Sequence, residues 1–305
     1  MVSETVDVAI DAGQTGVRVG VVRRGRLVAR RDGPGLTYGA ESGSAAALDG
    51  LTGPWRAVAP DATVGSVCVG LTSVLGGDAG YRALADGLLD RLAAHRVLLG
   101  GDVVTAHAGA LGMCPGVVLA AGTGAIALGL SADGRCHTVD GGGYLYGDAG
   151  GGFWVGRRGL DAALRGYDGR TEPGPLTRRA TEVFGDLGRL PERLYPADDR
   201  VAQVAGFARH VLELSDSDPV AAAIVDTAAA ELAATTAAAG GDDVSWTGRL
   251  LQHDGLRERF AAALHARRPS ARLHPPAGDG LDGAAALAAS TDLGPYVGLL
   301  RVVTR

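Results

Sequence analysis

The chain has 305 residues, 46% hydrophobic and 21% charged, which suits a packed protein of two ordinary domains and excludes a disordered one. Its formal net charge is −5 with no basic run that stands out, which excludes nucleic acid and anionic membrane surfaces as partners. Cys68, Cys114 and Cys136 lie far apart without CxxC spacing, which excludes a zinc site, a disulfide framework and an iron–sulfur ligand set and leaves them as small buried hydrophobes of a reducing cytoplasm.

The start, "MVSETVDVAI", is acidic and runs directly into a strand pattern, so it does not read as a signal peptide. Residues 5–10 alternate apolar and polar as a strand does. "DAGQTG" (11–16) follows, and its glycines exceed what a hairpin turn needs. Val17, Val19 and Val21 alternate again, Arg23-Arg24-Gly25-Arg26 is a turn, and Leu27 begins a third strand, which completes an antiparallel meander. Residues 64–70 read as another strand. Leu84, Leu88 and Leu92 place a helix over 79–95, and Val97-Leu98-Leu99 is a short strand ending at Gly100-Gly101-Asp102. "VVTAHAGALG" then reads as a small-residue helix, in which His107 has a structural or surface role.

The middle of the chain repeats the opening plan. Strand 117–121, the Gly122-Thr123-Gly124 turn, strand 125–130, an Asp133-Gly134 turn and strand 135–139 form a second meander. "GGGYLYGDAGGGFWVGRRGL" (141–160) concentrates Tyr144, Tyr146, Phe153 and Trp154 in a chain with 5% aromatic residues, as a loop built to pack would. A helix follows over 200–214. Another has Asp218 as N-cap, Pro219 at its first position and Gly240 just past its end. Asp226 and Glu231 interrupt this Ala-rich stretch, so no membrane span is expected. "DDVSWTG" is a strand, and helices are predicted at 254–267 and 281–289. The chain contains no Lys and no Asn. The missing Lys excludes a P-loop and Schiff-base chemistry. Two α/β halves, each with a Gly/Thr hairpin, predict two facing lobes whose hairpins offer backbone N–H groups to phosphate oxygens.

These segments, with "GGDVVTAHAGALG" (100–112), "AGFARHVLELSDSDPVAAAI" (205–224), "WTGRL" (246–250) and "DGLDGAAALA" (279–288), occur in an order that resembles the actin–hexokinase–sugar-kinase superfamily. More closely, the chain resembles the branch of N-acetylglucosamine kinases and benzoyl-CoA reductase activator-type ATPases. The resemblance implies an α/β fold of two ribonuclease H-like lobes with a cleft between them. Residues 1–113 would form the first lobe and 114–305 the second, with helical additions and a last helix that packs back on the first.

Each motif also has a plain structural reading. Asp11 alone is a turn acid; the resemblance places it at a catalytic Mg2+, which takes one or two carboxylates plus substrate phosphates. Gly13, Gln14 and Thr15 would cover the phosphates of ATP. Asp102 alone is an ordinary helix N-cap. The resemblance makes it the general base that accepts a proton from a sugar hydroxyl. Gly122, Thr123 and Gly124 would form the second phosphate loop, and Thr247 and Gly248 the adenosine side. Thr72, Ser73, Thr123, Gly143, Tyr144 and Asp148 would line the sugar pocket together with Asp102. Ala149 and Gly151 stand where the family has an acid and a small polar residue. No Asn follows the third strand, at "GPGLTYGAESG", to read an N-acetyl group.

The implied activity is an ATP-dependent sugar kinase of the cytoplasm that acts as a homodimer on an amino sugar or N-acetylamino sugar, N-acetylglucosamine or glucosamine first. The competing readings are an activator-type ATPase, which needs closely placed cysteines, and a non-catalytic nucleotide-binding module of the same fold. The latter predicts nucleotide binding without sugar-stimulated turnover. No helix-turn-helix precedes the first strand, which argues against a repressor.

Overall fold

The computed structural model describes residues 5–13, 16–36, 44–56, 62–72 and 77–305. The opening meander forms as the alternation predicts: β1 (Thr5–Ala12), β2 (Val17–Arg23) and β3 (Arg26–Gly33) pair antiparallel in sequence. After α1 (Ser44–Arg56), β4 (Thr63–Leu71) enters parallel to β1. α2 (Gly77–Leu92) then leads to β5 (Arg96–Gly101), parallel to β4. Parallel neighbours require such crossovers, and helices supply them here. α3 (Asp102–Ala110) follows β5 without a loop.

A second set begins with β6 (Gly116–Ala121), β7 (Ala125–Leu130) and β8 (Cys136–Asp140). A helical run follows: α4 (Gly152–Tyr167), α5 (Pro175–Phe184), α6 (Leu190–Leu194), α7 (Arg200–Gly206), α8 (Ala208–Leu214) and α9 (Pro219–Ala238). Then come β9 (Asp243–Thr247), α10 (Asp254–Arg267), β10 (Arg272–Leu273), α11 (Gly280–Ala289) and β11 (Arg301–Thr304).

The chain forms two compact units. The first comprises residues 1–118, 130–136 and 275–305; the second comprises 119–129 and 137–274. The sheet of the first unit has the order β11-β5-β4-β1-β2-β3, and the other sheet reads β10-β9-β6-β7-β8. In the first sheet the antiparallel β1–β2–β3 meander is extended on the β1 side by parallel β4 and β5, and in the second β9 and β10 lie on the β6 side of β6-β7-β8, so both orders follow the ribonuclease H-like plan.

The core of the first unit lies under α1 and α2. Leu51, Leu84 and Leu88 are fully buried there, each worth about 1.5–3 kcal/mol of burial, and Ile10 is fully buried on β1. On its other face α11 packs against α3 and β1. The C-terminal segment belongs to this unit because β11 pairs antiparallel with β5 and Arg96 donates to the Ala288 and Ser290 carbonyls at the end of α11, at 2.8 and 2.7 Å. Tyr296, just before β11, is fully buried.

His107 of α3 is buried and structural. Its Nδ1 lies 2.8 Å from the Tyr296 hydroxyl and its Nε2 lies 3.0 Å from the Gly116 carbonyl. A carbonyl can only accept, so Nε2 carries the proton and Nδ1 accepts from the tyrosine. Burial lowers the His107 pKa, which keeps the ring neutral as this tautomer requires. Tyr296→Phe leaves Nδ1 buried without a donor, and thermal unfolding should show a loss of about 1–3 kcal/mol.

α9 has the ends its sequence predicts. The Asp218 side chain accepts from Val220 N–H at 2.9 Å, Pro219 is the first helical residue, and Gly240 follows with φ +84°. By length and composition this helix could cross a membrane. Ala221, Val225, Ala228 and Leu232 bury one face instead, and α10 and α8 pack against it.

The helix predicted over 200–214 is two helices broken at Phe207. There Phe207 N–H bonds the Val204 carbonyl at 3.1 Å and His210 N–H bonds the Phe207 carbonyl at 3.0 Å, a tighter turn that follows Gly206, a poor helix former. The helix predicted over 79–95 spans Gly77–Leu92 and ends where Ala93 takes φ +48°. Of the cysteines only Cys68 is a buried hydrophobe, its thiol pushed up to about 12 by burial; Cys114 and Cys136 are exposed. The 141–151 loop packs in part. Tyr144 lies on Phe153 with ring centroids 4.9 Å apart, whereas Leu145 and Tyr146 are 73% and 88% exposed.

Candidate functional site

In the first unit three adjacent parallel strands deliver candidate residues at their carboxyl ends. Asp11 lies at the end of β1, Thr72 just beyond β4, and Asp102 just beyond β5. Ligands of open α/β sheets bind at such ends. Asp102 is not an N-cap: Gly101 holds that position, and Asp102 is the first residue of α3. The Thr72 hydroxyl lies against the Asp102 carboxylate and also donates to the Ala12 carbonyl at 3.1 Å, so its one proton is shared between two acceptors. Burial raises the Asp102 pKa and the charge of Asp11 adds to the rise, against the Thr72 bond. A carboxylate so raised is a stronger base than a free one.

The backbone permits this crowding at two glycines. A Cβ on Gly70 of β4 would fall 2.2 Å from the Thr105 hydroxyl, so Gly70 lets α3 sit on the sheet. A Cβ on Gly13 would fall 3.2 Å from Thr72 Oγ1, so the loop after β1 lies close against Thr72. Gly13 N–H bonds the Gly16 carbonyl at 2.9 Å. Gln14, Thr15 and Ser73 lie outside the described residues.

Asp11 has partners that sequence reading did not assign. Arg18, directly across from it in the β1–β2 pairing, makes an ion pair with Asp11 and a second one with Asp279. Arg30 approaches Asp279 at 3.7 Å. Asp279 is the N-cap of α11 in a capping box with Asp282, so one carboxylate ends a helix and anchors the arginine. Burial raises the Asp11 pKa, and Arg18 opposes the rise. The pairing joins residues 261 positions apart and left no local trace in the sequence.

Asp11 with Asp102 beside it is an all-oxygen donor pair. Among the described residues no group of three or more His, Cys, Asp or Glu could hold a metal by itself. An all-oxygen pair is compatible with Mg2+, which is held by one or two carboxylates together with substrate phosphates and waters.

In the second unit the Gly122-Thr123-Gly124 turn, the 141–151 loop and the start of α4 form one cluster. Gly122 N–H bonds the Gly124 carbonyl at 2.9 Å. The first two N–H groups of α4, from Gly152 and Phe153, bond the carbonyls of Gly122 and Thr123, both at 2.8 Å. Those helix-end donors are therefore occupied within the protein, while Gly122 and Thr123 stay exposed. A Cβ on Gly124 would fall 2.5 Å from Asp148 Oδ2, so the turn lies directly against that carboxylate. Asp148 accepts from the backbone N–H groups of Ala125 and Gly143, and burial followed by the charge of Asp140 raises its pKa. A carboxylate has about four acceptor sites, so two bonds to the backbone leave two for a ligand.

Gly248 has φ +92°, and a Cβ there would fall 2.2 Å from the Ala121 carbonyl. Thr247 and Gly248 thus lie against the end of β6, next to the Gly122 turn. Tyr144 is partly exposed at the edge of the same cluster through its contact with Phe153. The candidate residues accordingly form two groups: Asp11, Gly13, Thr72 and Asp102 in one unit, and Gly122, Thr123, Gly124, Gly143, Tyr144, Asp148, Thr247 and Gly248 in the other.

Residues 8–288 match the BadF/BadG/BcrA/BcrD ATPase family, and the chain belongs to it. A candidate N-acetylglucosamine kinase from Chromobacterium violaceum has a similar structure, with TM-score 0.75 and 27% identity over 93% of this chain and 99% of that one. A ROK family glucokinase from Streptomyces griseus, solved with glucose and AMPPNP, shares the fold at TM-score 0.60 and 18% identity, over 93% and 99% of the two chains. The N-acetylmuramic acid/N-acetylglucosamine kinase of Clostridium acetobutylicum is 32% identical over 77 residues, so the match spans a quarter of this chain and a quarter of that protein.

Proposed function

We propose that this protein is an ATP-dependent sugar kinase acting on an amino sugar or N-acetylamino sugar, with N-acetylglucosamine and glucosamine the first candidates. The observation that carries the reading is the pairing of Asp102 with Thr72 beside Asp11, at the carboxyl ends of three neighbouring strands. The likeness to a candidate N-acetylglucosamine kinase across 93% of the chain supports it.

Asp102 accepts the proton of the attacking hydroxyl as the oxygen–phosphorus bond forms, and Thr72 orients the carboxylate. Gly13, Gln14 and Thr15 cover the terminal phosphates of ATP in the first unit, and Gly122, Thr123 and Gly124 offer a second phosphate loop in the other. Thr247 and Gly248 meet the adenosine side. Asp11 would hold Mg2+, which when bound neutralises charge on the phosphates. Asp148 directs its two remaining acceptor positions to sugar hydroxyls, as a polyol site requires, while Gly143, Tyr144 and Ser73 border the sugar. A homodimer is the expected assembly.

ADP release measured over a panel of hexoses, amino sugars and N-acetylamino sugars tests the reading. Stimulation of turnover by one class of sugar supports it. ATP hydrolysis that no sugar accelerates would replace it with the activator-type ATPase reading, which the family membership keeps as the alternative.

A further inference from the structure

We propose that Asp140 is a positioning residue of the sugar site, the clasp that fixes the Asp148 carboxylate. The inference rests on the kinase reading above. Asp140 is the last residue of β8 and has φ +63°, a left-handed conformation that glycine adopts freely and aspartate does not. A non-glycine residue persists there when its side chain makes compensating bonds. Asp140 makes them. Its Oδ1 accepts from Asp148 N–H at 2.7 Å and from Gly142 N–H at 3.4 Å, and its Oδ2 accepts from Ala149 N–H at 3.0 Å.

The two acids grip the loop from opposite ends. Asp140 holds the backbone of residues 148 and 149. Asp148, itself left-handed at φ +58°, returns bonds to the backbone of Gly143 and Ala125. Gly147 completes the arrangement, because a Cβ there would fall 2.8 Å from Asp140 Oδ1. With Asp140 removed, the backbone that sets Asp148 in its unusual conformation loses both of its close acceptor contacts. The carboxylate facing Gly124 then loses its fixed direction. Asp140 itself needs no contact with substrate, since its oxygens are turned to the backbone of the loop.

Two variants test this. Asp140→Gly removes the clasp and relieves the backbone, so the fold should survive. Asp140→Asn keeps one acceptor oxygen and tolerates the same φ. Hydrogen exchange of the 141–151 peptide, without ligand, should be about tenfold faster or more in Asp140→Gly and intermediate in Asp140→Asn. With the sugar that best stimulates the wild type, Asp140→Gly should raise the sugar KM about tenfold to a hundredfold, with the KM for ATP and the melting temperature unchanged. Unchanged exchange, or an unchanged sugar KM, would overturn the proposal. So would equal losses on the ATP and sugar sides, which a merely structural role predicts. A wild type that no sugar stimulates overturns the kinase reading instead, and the exchange measurement still decides whether Asp140 clasps the loop.

Discussion

Asp102→Asn is expected to lower kcat for sugar-dependent ATP turnover by about 100- to 10,000-fold, with KM for ATP within about twofold of wild type. The substitution is nearly isosteric, the Thr72 hydroxyl can still donate to the amide oxygen, and α3 keeps its N-cap at Gly101. Only the ability to take up a proton is lost. The wild-type rate should fall on the acid side as pH drops through the raised pKa of Asp102, because the base must be ionised to act. The same variant should melt higher than wild type at neutral pH. A carboxylate whose folded pKa lies above its unfolded value binds its proton more readily in the folded state. Folding is therefore penalised above the folded pKa, and the penalty vanishes below the unfolded value of 3.8. The stability gain of Asp102→Asn should accordingly be present at pH 7 and shrink as pH falls through the raised value. Turnover unchanged in Asp102→Asn would remove Asp102 from the chemistry. A melting temperature that dropped at pH 7 would show that the charge is stabilised in place rather than strained.

The features that were legible in the sequence are local. The β1–β2–β3 meander, the Gly122-Thr123-Gly124 turn and the ends of α9 each depend on residues within a few positions of one another, and the structure has all three. Asp102 was placed by the family resemblance, its position alone reading as an ordinary N-cap, and its neighbour Thr72 lies just beyond β4, the strand paired with β5. The Asp11–Arg18–Asp279 bridge and the Asp140 clasp were not legible for different reasons. The first spans nearly the whole chain. The second lies within nine residues, but a strand-end Asp before a run of glycines reads as an ordinary turn until its φ and its three backbone partners are known. Composition misjudged the aromatic loop, because a side chain's exposure depends on what lies over it: Tyr144 meets Phe153 and Tyr146 meets mostly solvent.

Gly283→Ala should destabilise the first unit by about 3 kcal/mol and lower its melting temperature by roughly 5–10 °C, read by calorimetry. In most exposed helices this substitution is favourable by about 0.5–1 kcal/mol, so the sign is the test. α11 crosses α3 with backbones in contact. A Cβ on Gly283 would fall 1.9 Å from the Thr105 carbonyl and 2.5 Å from Gly109 N, and one on Gly109 would fall 1.9 Å from the Asp279 carbonyl. Backbone atoms cannot swing aside as a flexible side chain can, so the helices must separate. Ala277 N–H, bonded to the Ala110 carbonyl at 3.0 Å, would be pulled with them. Separation also moves the two helix starts that matter chemically, Asp102 at the head of α3 and Asp279 at the head of α11, so kcat should fall even in the fraction that stays folded. Gly206→Ala is the matched control: Gly206 ends an exposed turn of α7, no atom lies within 4 Å of its would-be Cβ, and the change should leave stability equal or raise it. If both substitutions shifted melting in the same direction, the close crossing would not be what requires glycine at 283.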